Sequence, residues 1–277
     1  MTTQAPSKPN LSALCREMGY SRQAYYKASV RSSKTLDQEK LVLDTVRLVR
    51  ARQPAVGTRK LKRHLQDQGQ AIGRDRLFAL LAKQNLLIPR KRRRAYTTDS
   101  SHGFKRYENR IRTLEITRPN QVYVADITYL YGPDRFYYLA LLTDAFSRKI
   151  VGYDLSESLS IDGTSRALAM AIRNRRSHLP LIHHSDRGVQ YCAKDYVQQL
   201  RDHGIDISMT QDNHVYENAM AERVNGILKQ EFLLDRLQDP LPLAKRKVKE
   251  AVSIYNNERL HMSIDWKTPQ SVHLTGS

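Results

Sequence analysis

Apolar positions in this chain recur with two different periods, and the change of period divides it. In the first third they come in short helical pieces. Leu11, Leu14, Cys15 and Met18 share a helical face that stops at Gly19, and Ser21 then offers an N-cap for a second short helix, RQAYYKAS. Past the polar stretch RSSKTLDQEK, Val42, Val46 and Val49 mark another helix. Gly57-Thr58 opens the next, carrying Leu61 and Leu65, and Gly69 to Gly73 form a turn before RDRLFALLAKQNLL, which holds Leu77, Leu80 and Leu81 inside. Helix, glycine-containing turn, helix is the outline of a helix-turn-helix, and it occurs twice. From residue 119 the period becomes two. QVYVADITYLY, the turn Gly-Pro-Asp and RFYYLALLTD read as a β-hairpin, and KIVGYDL adds a third antiparallel strand. A helix (about 162 to 175), the strand LIHHSD, a helix (about 194 to 203) and the strand DISMT follow. The order predicts an α/β fold: a mixed five-stranded sheet flanked by helices, preceded by an all-α helix-turn-helix region. The expected segments are an N-terminal helical segment over 1–40, a helix-turn-helix domain over 41–98, a basic and polar linker over 99–118, and a sheet domain with a helical tail over 119–277.

Charge sharpens that division. Of the net +18, residues 1–118 supply all: they hold 27 Lys and Arg against 9 Asp and Glu, whereas residues 119–277 hold 19 of each. A basic module joined to a neutral one is expected when the first holds a polyanion through its phosphates and the second does chemistry. Arg74 and Arg76 fall in the first turn of the candidate recognition helix, where side chains reach base edges. Arg90, Lys91, Arg92, Arg93 and Arg94 form the densest cationic run, a clamp for a phosphate backbone. Double-stranded DNA is the expected partner. The start MTTQAPSKPN has no apolar signal core and no run approaches eighteen apolar residues, so a cytoplasmic, nucleoid-associated protein with no membrane contact is expected. Cys15 and Cys192 are far apart and support neither a disulfide framework nor a cysteine zinc site.

Three acids stand out by context. Val122, Val124, Asp126, Thr128 and Leu130 share one strand face, so Asp126 interrupts an apolar stripe, at a cost unless something positive satisfies it. Asp186 ends the strand LIHHSD, where open α/β sheets place ligands. Glu222 lies on a helix with Asn225, Gly226 and Lys229 on its side, opposite Met220, Val224, Ile227 and Leu228. A salt bridge at Asp126 and a solvated face at Glu222 are the alternatives for each acid alone. Taken together, carboxylates without a cysteine cage suit hard divalent ions, and phosphoryl transfer by the two-metal route uses two such ions about 4 Å apart. Asp126, mid-strand, would bridge both, with Asp186 and Glu222 holding one each, and Lys229 would meet a phosphate of the bound strand. Gly226 inside a good helix costs roughly 1 kcal/mol against Ala, which suggests close approach to the backbone there.

The motifs VADITYL, LLTDAFSRKIVGY, HHSDRGVQY and ENAMAERVNGILKQEF, with thirty-five residues between Asp186 and Glu222, resemble those of the DDE transposases of the IS3 family of insertion sequences, the OrfB product, similar to retroviral integrases. The likeness extends upstream through RPNQVYV and VGTRKLKRHL and downstream through YNNERLHMSIDWKTP. It implies an RNase H-like integrase catalytic core, with Asp126, Asp186 and Glu222 as catalytic residues and ligands of two Mg²⁺ or Mn²⁺ ions, and Lys229 as a contact to the transposon end. The implied reactions are cleavage at element ends to give a 3′-hydroxyl and attack of that hydroxyl on another phosphodiester. It also implies a homo-oligomer on DNA and an OrfA partner, separate or fused. The chain departs from the pattern at Tyr123, where the family has Trp, and at Leu260, where it has Pro; neither removes a ligand.

Three further residues are placed near the centre: His184, which shares a strand face with Asp186, Asn225, and Asp144, at the end of the second strand, for which a turn role competes. A DNA-binding regulator derived from a transposase but catalytically silent is the alternative function. Loss of one of the three acids would mark it, and all three are present.

Overall fold

The computed structural model describes residues 10–89, 105–211, 219–235 and 237–276. Two compact units emerge, one comprising Met1–Ala51 with Gly57–Leu87, the other Arg52–Val56 with Ile88–Ser277.

The first unit holds α1 (Leu11–Glu17), most of α2 (Arg22–Arg52), α3 (Thr58–Asp67) and α4 (Arg74–Lys83). The helix-turn-helix outline of α3 and α4 stands, with Leu61, Leu65, Leu77 and Leu81 fully buried and Gly69 at φ +74° in the turn between them. The short helix RQAYYKAS is a correction. α2 runs unbroken for 31 residues, through RSSKTLDQEK and across the boundary placed at residue 40. The stretch contains neither Gly nor Pro to stop a helix, and being polar on every side it gave no apolar period to follow.

In the second unit β1 (Val122–Tyr131), β2 (Phe136–Asp144), β3 (Ile150–Ser156), β4 (Leu181–Ser185) and β5 (Ile205–Met209) form one sheet in the order β3-β2-β1-β4-β5. The first three are an antiparallel meander; β4 pairs in parallel with β1 and β5 with β4. This is the mixed five-stranded sheet expected. α5 (Ile161–Asn174), α6 (Val189–Cys192) and α7 (Lys194–Asp202) connect the later strands, and α8 (Ala219–Glu231), α9 (Leu241–Asn257), a short 3₁₀ turn (Met262–Ile264) and α10 (Pro269–Thr275) complete the chain.

Alternation along β1 gives the sheet two apolar faces. Tyr123 and Ala125 pack with Leu142, Ala167, Leu168, Tyr196 and Leu200 under α5 and α7. On the other face Leu130, Leu139, Leu141 and Leu155 pack with Val224, Leu228, Val248 and Tyr255 of α8 and α9. α5 lies so close on β3 that a Cβ at Gly152 would stand 2.1 Å from the carbonyl oxygen of Ala167.

The segment YNNER at the end of α9 fixes that helix and its neighbour. Asn256 takes the backbone N–H of Ile150 on Oδ1 and donates from Nδ2 to the carbonyl of Ile150, both at 2.9 Å, so its amide extends the edge of β3. Arg259, 2% exposed, donates from Nε and Nη2 to the two carboxylate oxygens of Glu231 at 2.9 and 2.8 Å, pinning the last turn of α8. Tyr255 donates to the carbonyl of Arg148 at 3.0 Å. Among the described residues no helix is long and apolar enough to cross a membrane.

Candidate functional site

Asp126 sits in the central strand, on the face turned to α8. Val124 pairs with His184 across β1 and β4, so two residues further along these parallel strands Asp126 and Asp186 come level. The Asp126 carboxylate is held from two sides. Its Oδ1 accepts from the backbone N–H of Ile127 at 2.9 Å and its Oδ2 from Nδ2 of Asn225 on α8 at 2.7 Å. Burial, then the charge of Asp186, and further down that of Glu222, push its pKa up to about 8. The charges of both other acids therefore reach Asp126.

Asp186 follows β4 directly. Its Oδ1 accepts from the backbone N–H of Gly188 at 2.9 Å, and a Cβ at Gly188 would come within 3.0 Å of that same oxygen. The turn thus holds the carboxylate with the main chain, and a side chain at residue 188 would press on that oxygen. Glu222 is exposed in the first turn of α8, directly after residues 212–218, which lie outside the described residues. Among the described residues no three His, Cys, Asp or Glu side chains are gathered tightly enough to hold an ion as they stand. Asp126 and Asp186 supply hard oxygen donors and an excess of negative charge, the donor chemistry a divalent ion requires, and Glu222 would close on them from α8.

Lys229, half-buried two turns after Glu222, has its pKa lowered by burial, against the raising influence of Asp126 and then Asp235. Asn225 is nearly buried rather than on the open polar side of α8, and its Oδ1 has no hydrogen-bond partner. The space at Gly226 is open, with nothing within 4 Å of where a Cβ would be. Among the described residues nothing makes the close approach expected there.

His184 is fully buried, with Nδ1 2.9 Å from Ser208 Oγ on the neighbouring strand. His183 points to the opposite face, bonded to Tyr196 at 2.9 Å, and burial followed by the adjacent His184 lowers its pKa to about 3. Asp144 takes the turn role rather than joining the acids. Its fully buried carboxylate accepts from the backbone N–H groups of Asn120 and Ser147 and from the Ser147 hydroxyl, each at 2.7 Å. Burial works to raise its pKa, but these bonds and His273 prevail and lower it. Arg74 and Arg76 are exposed on α4, paired with Asp75 at 2.8 Å and with Glu39 at 3.3 Å. The run Arg90, Lys91, Arg92, Arg93 and Arg94 lies outside the described residues.

The reading from sequence missed the grip of Gly188 on Asp186 and the Arg259–Glu231 pair that secures α8. Both stood in motifs that carried the resemblance, HHSDRGVQY and YNNERLH, without a role attached.

Comparison with known proteins adds an independent line. Residues 116–214 match the family model of an integrase core domain, and residues 203–269 match a second integrase core domain family. An uncharacterised 31 kDa protein of insertion element IS600 from Shigella sonnei is 36% identical over 253 residues, covering 90% of this chain and 93% of that protein. The transposase InsF for insertion sequence IS3A from Escherichia coli (strain K12) is 31% identical over 230 residues, covering 81% of this chain and 80% of that one. Among solved structures, a chain of the simian T-cell lymphotropic virus intasome in complex with PP2A regulatory subunit B56 gamma aligns with a TM-score of 0.50 at 18% identity, covering 79% of this chain and 70% of that chain. That likeness is one of fold, the RNase H-like integrase core.

Proposed function

This chain belongs to the transposases of the IS3 family of insertion sequences, and on that premise we propose that Asp126, Asp186 and Glu222 form the centre at which it cuts and joins DNA strands. The observation that carries the reading is the convergence on Asp126. Burial, and then the charges of two acids from separate elements, raise its pKa to about 8, and an amide from the third element holds one of its oxygens. A lone structural acid would be answered by a cation or left to solvent; a buried acid that feels the charges of two others suits a divalent ion.

Asp126, Asp186 and Glu222 would hold two ions, Mg²⁺ or Mn²⁺. When bound, these activate the attacking oxygen and stabilise the leaving oxygen of an in-line phosphoryl transfer. The chain's own groups do the rest. The N–H groups of Ile127 and Gly188 and the amide of Asn225 fix where the carboxylate lone pairs point. Lys229, two turns beyond Glu222 on α8, would meet a phosphate of the element end. The open flank at Gly226 leaves room for a DNA backbone to lie along α8.

Hydrolysis at the element end would free a 3′-hydroxyl, and attack of that hydroxyl on the phosphorus of a second phosphodiester would form the new ester bond as that diester's own 3′-oxygen leaves. The basic segment 1–118, with Arg74, Arg76 and the run Arg90, Lys91, Arg92, Arg93 and Arg94, would hold the duplex, since exposed ion pairs such as Arg74 with Asp75 are weak enough to yield to phosphates. Working as a homo-oligomer, alone or with an OrfA product, belongs to the same proposal. The test is joining of a pre-cut, labelled element end to a second duplex in Mg²⁺. Glu222→Gln is expected to reduce joining by about 10³-fold or more, several kcal/mol of lost transition-state stabilisation, with DNA binding retained. Unchanged joining would overturn the assignment.

A further inference from the structure

The first half of α2 is barely packed among the described residues, with Glu39 reaching Arg76 of α4 at 3.3 Å. From Arg22 to Leu41 every side chain is exposed except those of Thr35 and Glu39, which are half-buried. Only beyond it do Val42, Leu43, Thr45 and Val46 turn a face inward. On the side away from Val46, Val30, Leu41 and Leu48 fall within about 20° of one line at 100° per residue, and they are 56%, 56% and 73% exposed. An apolar line on the outer face of a 31-residue helix calls for an occupant.

The charges along that line say which. Residues 27, 34, 41 and 48 and residues 23, 30, 37 and 44 form two adjacent columns repeating every seven residues, the spacing of a coiled-coil seam. In order the seam carries Lys27, Val30, Lys34, Asp37, Leu41 and Asp44. Reversed, it is its own complement. When two copies cross antiparallel with the two-fold axis between residues 35 and 36, Lys27 meets Asp44, Val30 meets Leu41 and Lys34 meets Asp37, each twice. The flanking columns agree: Tyr26 faces Arg47, Arg31 faces Gln38 and Ser33 faces Lys40, with no like charges opposed. A parallel pair would set Lys against Lys and Asp against Asp. Asp44, now in an exposed pair with Arg47 at 2.9 Å, is free to exchange partners because such pairs are worth little.

We propose that α2 is an antiparallel self-association arm, by which two copies of this chain pair through the seam from Lys27 to Asp44. With few apolar layers and four ion-pair layers, the pairing is specific rather than tight and weakens as salt rises. At a rise of 1.5 Å per residue, the two Val46 positions stand about 32 Å apart along the pair, close to one turn of B-DNA, so the α3–α4 modules would sit one helical turn apart.

Charge exchange tests it. Sedimentation equilibrium of the full chain at low salt is expected to show a dimer for the wild type and at least tenfold weaker association for Lys34→Asp and for Asp37→Lys, each of which opposes like charges twice. An equal mixture of the two variants makes every opposed pair complementary again, and so does the double variant; both are expected to regain the dimer. These side chains are exposed, and the double variant also controls for loss of fold. A monomeric wild type, an unchanged Lys34→Asp, or a mixture that stays monomeric would each overturn the proposal.

Discussion

Neutralising Asp126 should make the metal-free protein more stable. Its pKa stands near 8 against an ordinary 3.8, because burial and then the charges of Asp186 and Glu222 disfavour the ionised form. Between those two values the folded protein keeps a proton that the unfolded chain has released. Stability therefore falls as pH rises from about 4 to about 8 and stays low above it. Thermal unfolding of Asp126→Asn without divalent ions should show that slope flattened and stability at pH 8 raised by on the order of a few kcal/mol. A variant less stable than the wild type at pH 8 would mean that the carboxylate is satisfied as it stands. At this scale the sequence was informative where an acid broke a pattern: Asp126 interrupted an alternating apolar strand and was visible for that reason. Asn225 shared the helix side of Glu222, but its bond to Asp126 joins residues 99 positions apart and no periodicity reports it. Asp144 was ambiguous because a strand-end acid serves a turn or an ion equally well, and only Asn120, Ser147 and His273 around it decide.

Among the elements, β3 and α5 make the tightest contact the account depends on. Gly152→Ala would drive a methyl to 2.1 Å from the Ala167 carbonyl, a backbone atom that cannot swing aside. Chemical denaturation should show a loss of about 1–3 kcal/mol or failure to fold; a loss below about 0.5 kcal/mol would mean that α5 shifts freely on the sheet. The strands were legible because β-branched and aromatic residues alternate between two buried faces, and α5 and α7 because their apolar residues keep a helical period. α2 was not. Its first half buries nothing, so the period that marks a helix within a core is missing and what remained looked like a linker. The same property makes its outer seam available to a second copy. α9 shows a third case: its ending was recognised by resemblance, but the work of Asn256 on β3 and Arg259 on Glu231 needed the tertiary structure.

Over the whole molecule, chemistry and charge are divided between units. The acids lie in the neutral segment 119–277, while the positive excess lies in residues 1–118. That division was legible from composition alone, since it needs only a count along the chain. The sheet order brings β1 beside β4, and with them Asp126 level with Asp186, and α8 lies on the face that carries Asp126. The central claim is that three acids on three elements make one cation site. Calorimetric titration of Mn²⁺ into the full chain bound to a pre-cut element end, at pH 8, tests it most directly. The wild type should bind, and Asp126→Asn, Asp186→Asn and Glu222→Gln should each weaken binding by at least about tenfold, 1.4 kcal/mol. Binding that survives all three substitutions unchanged would contradict the account.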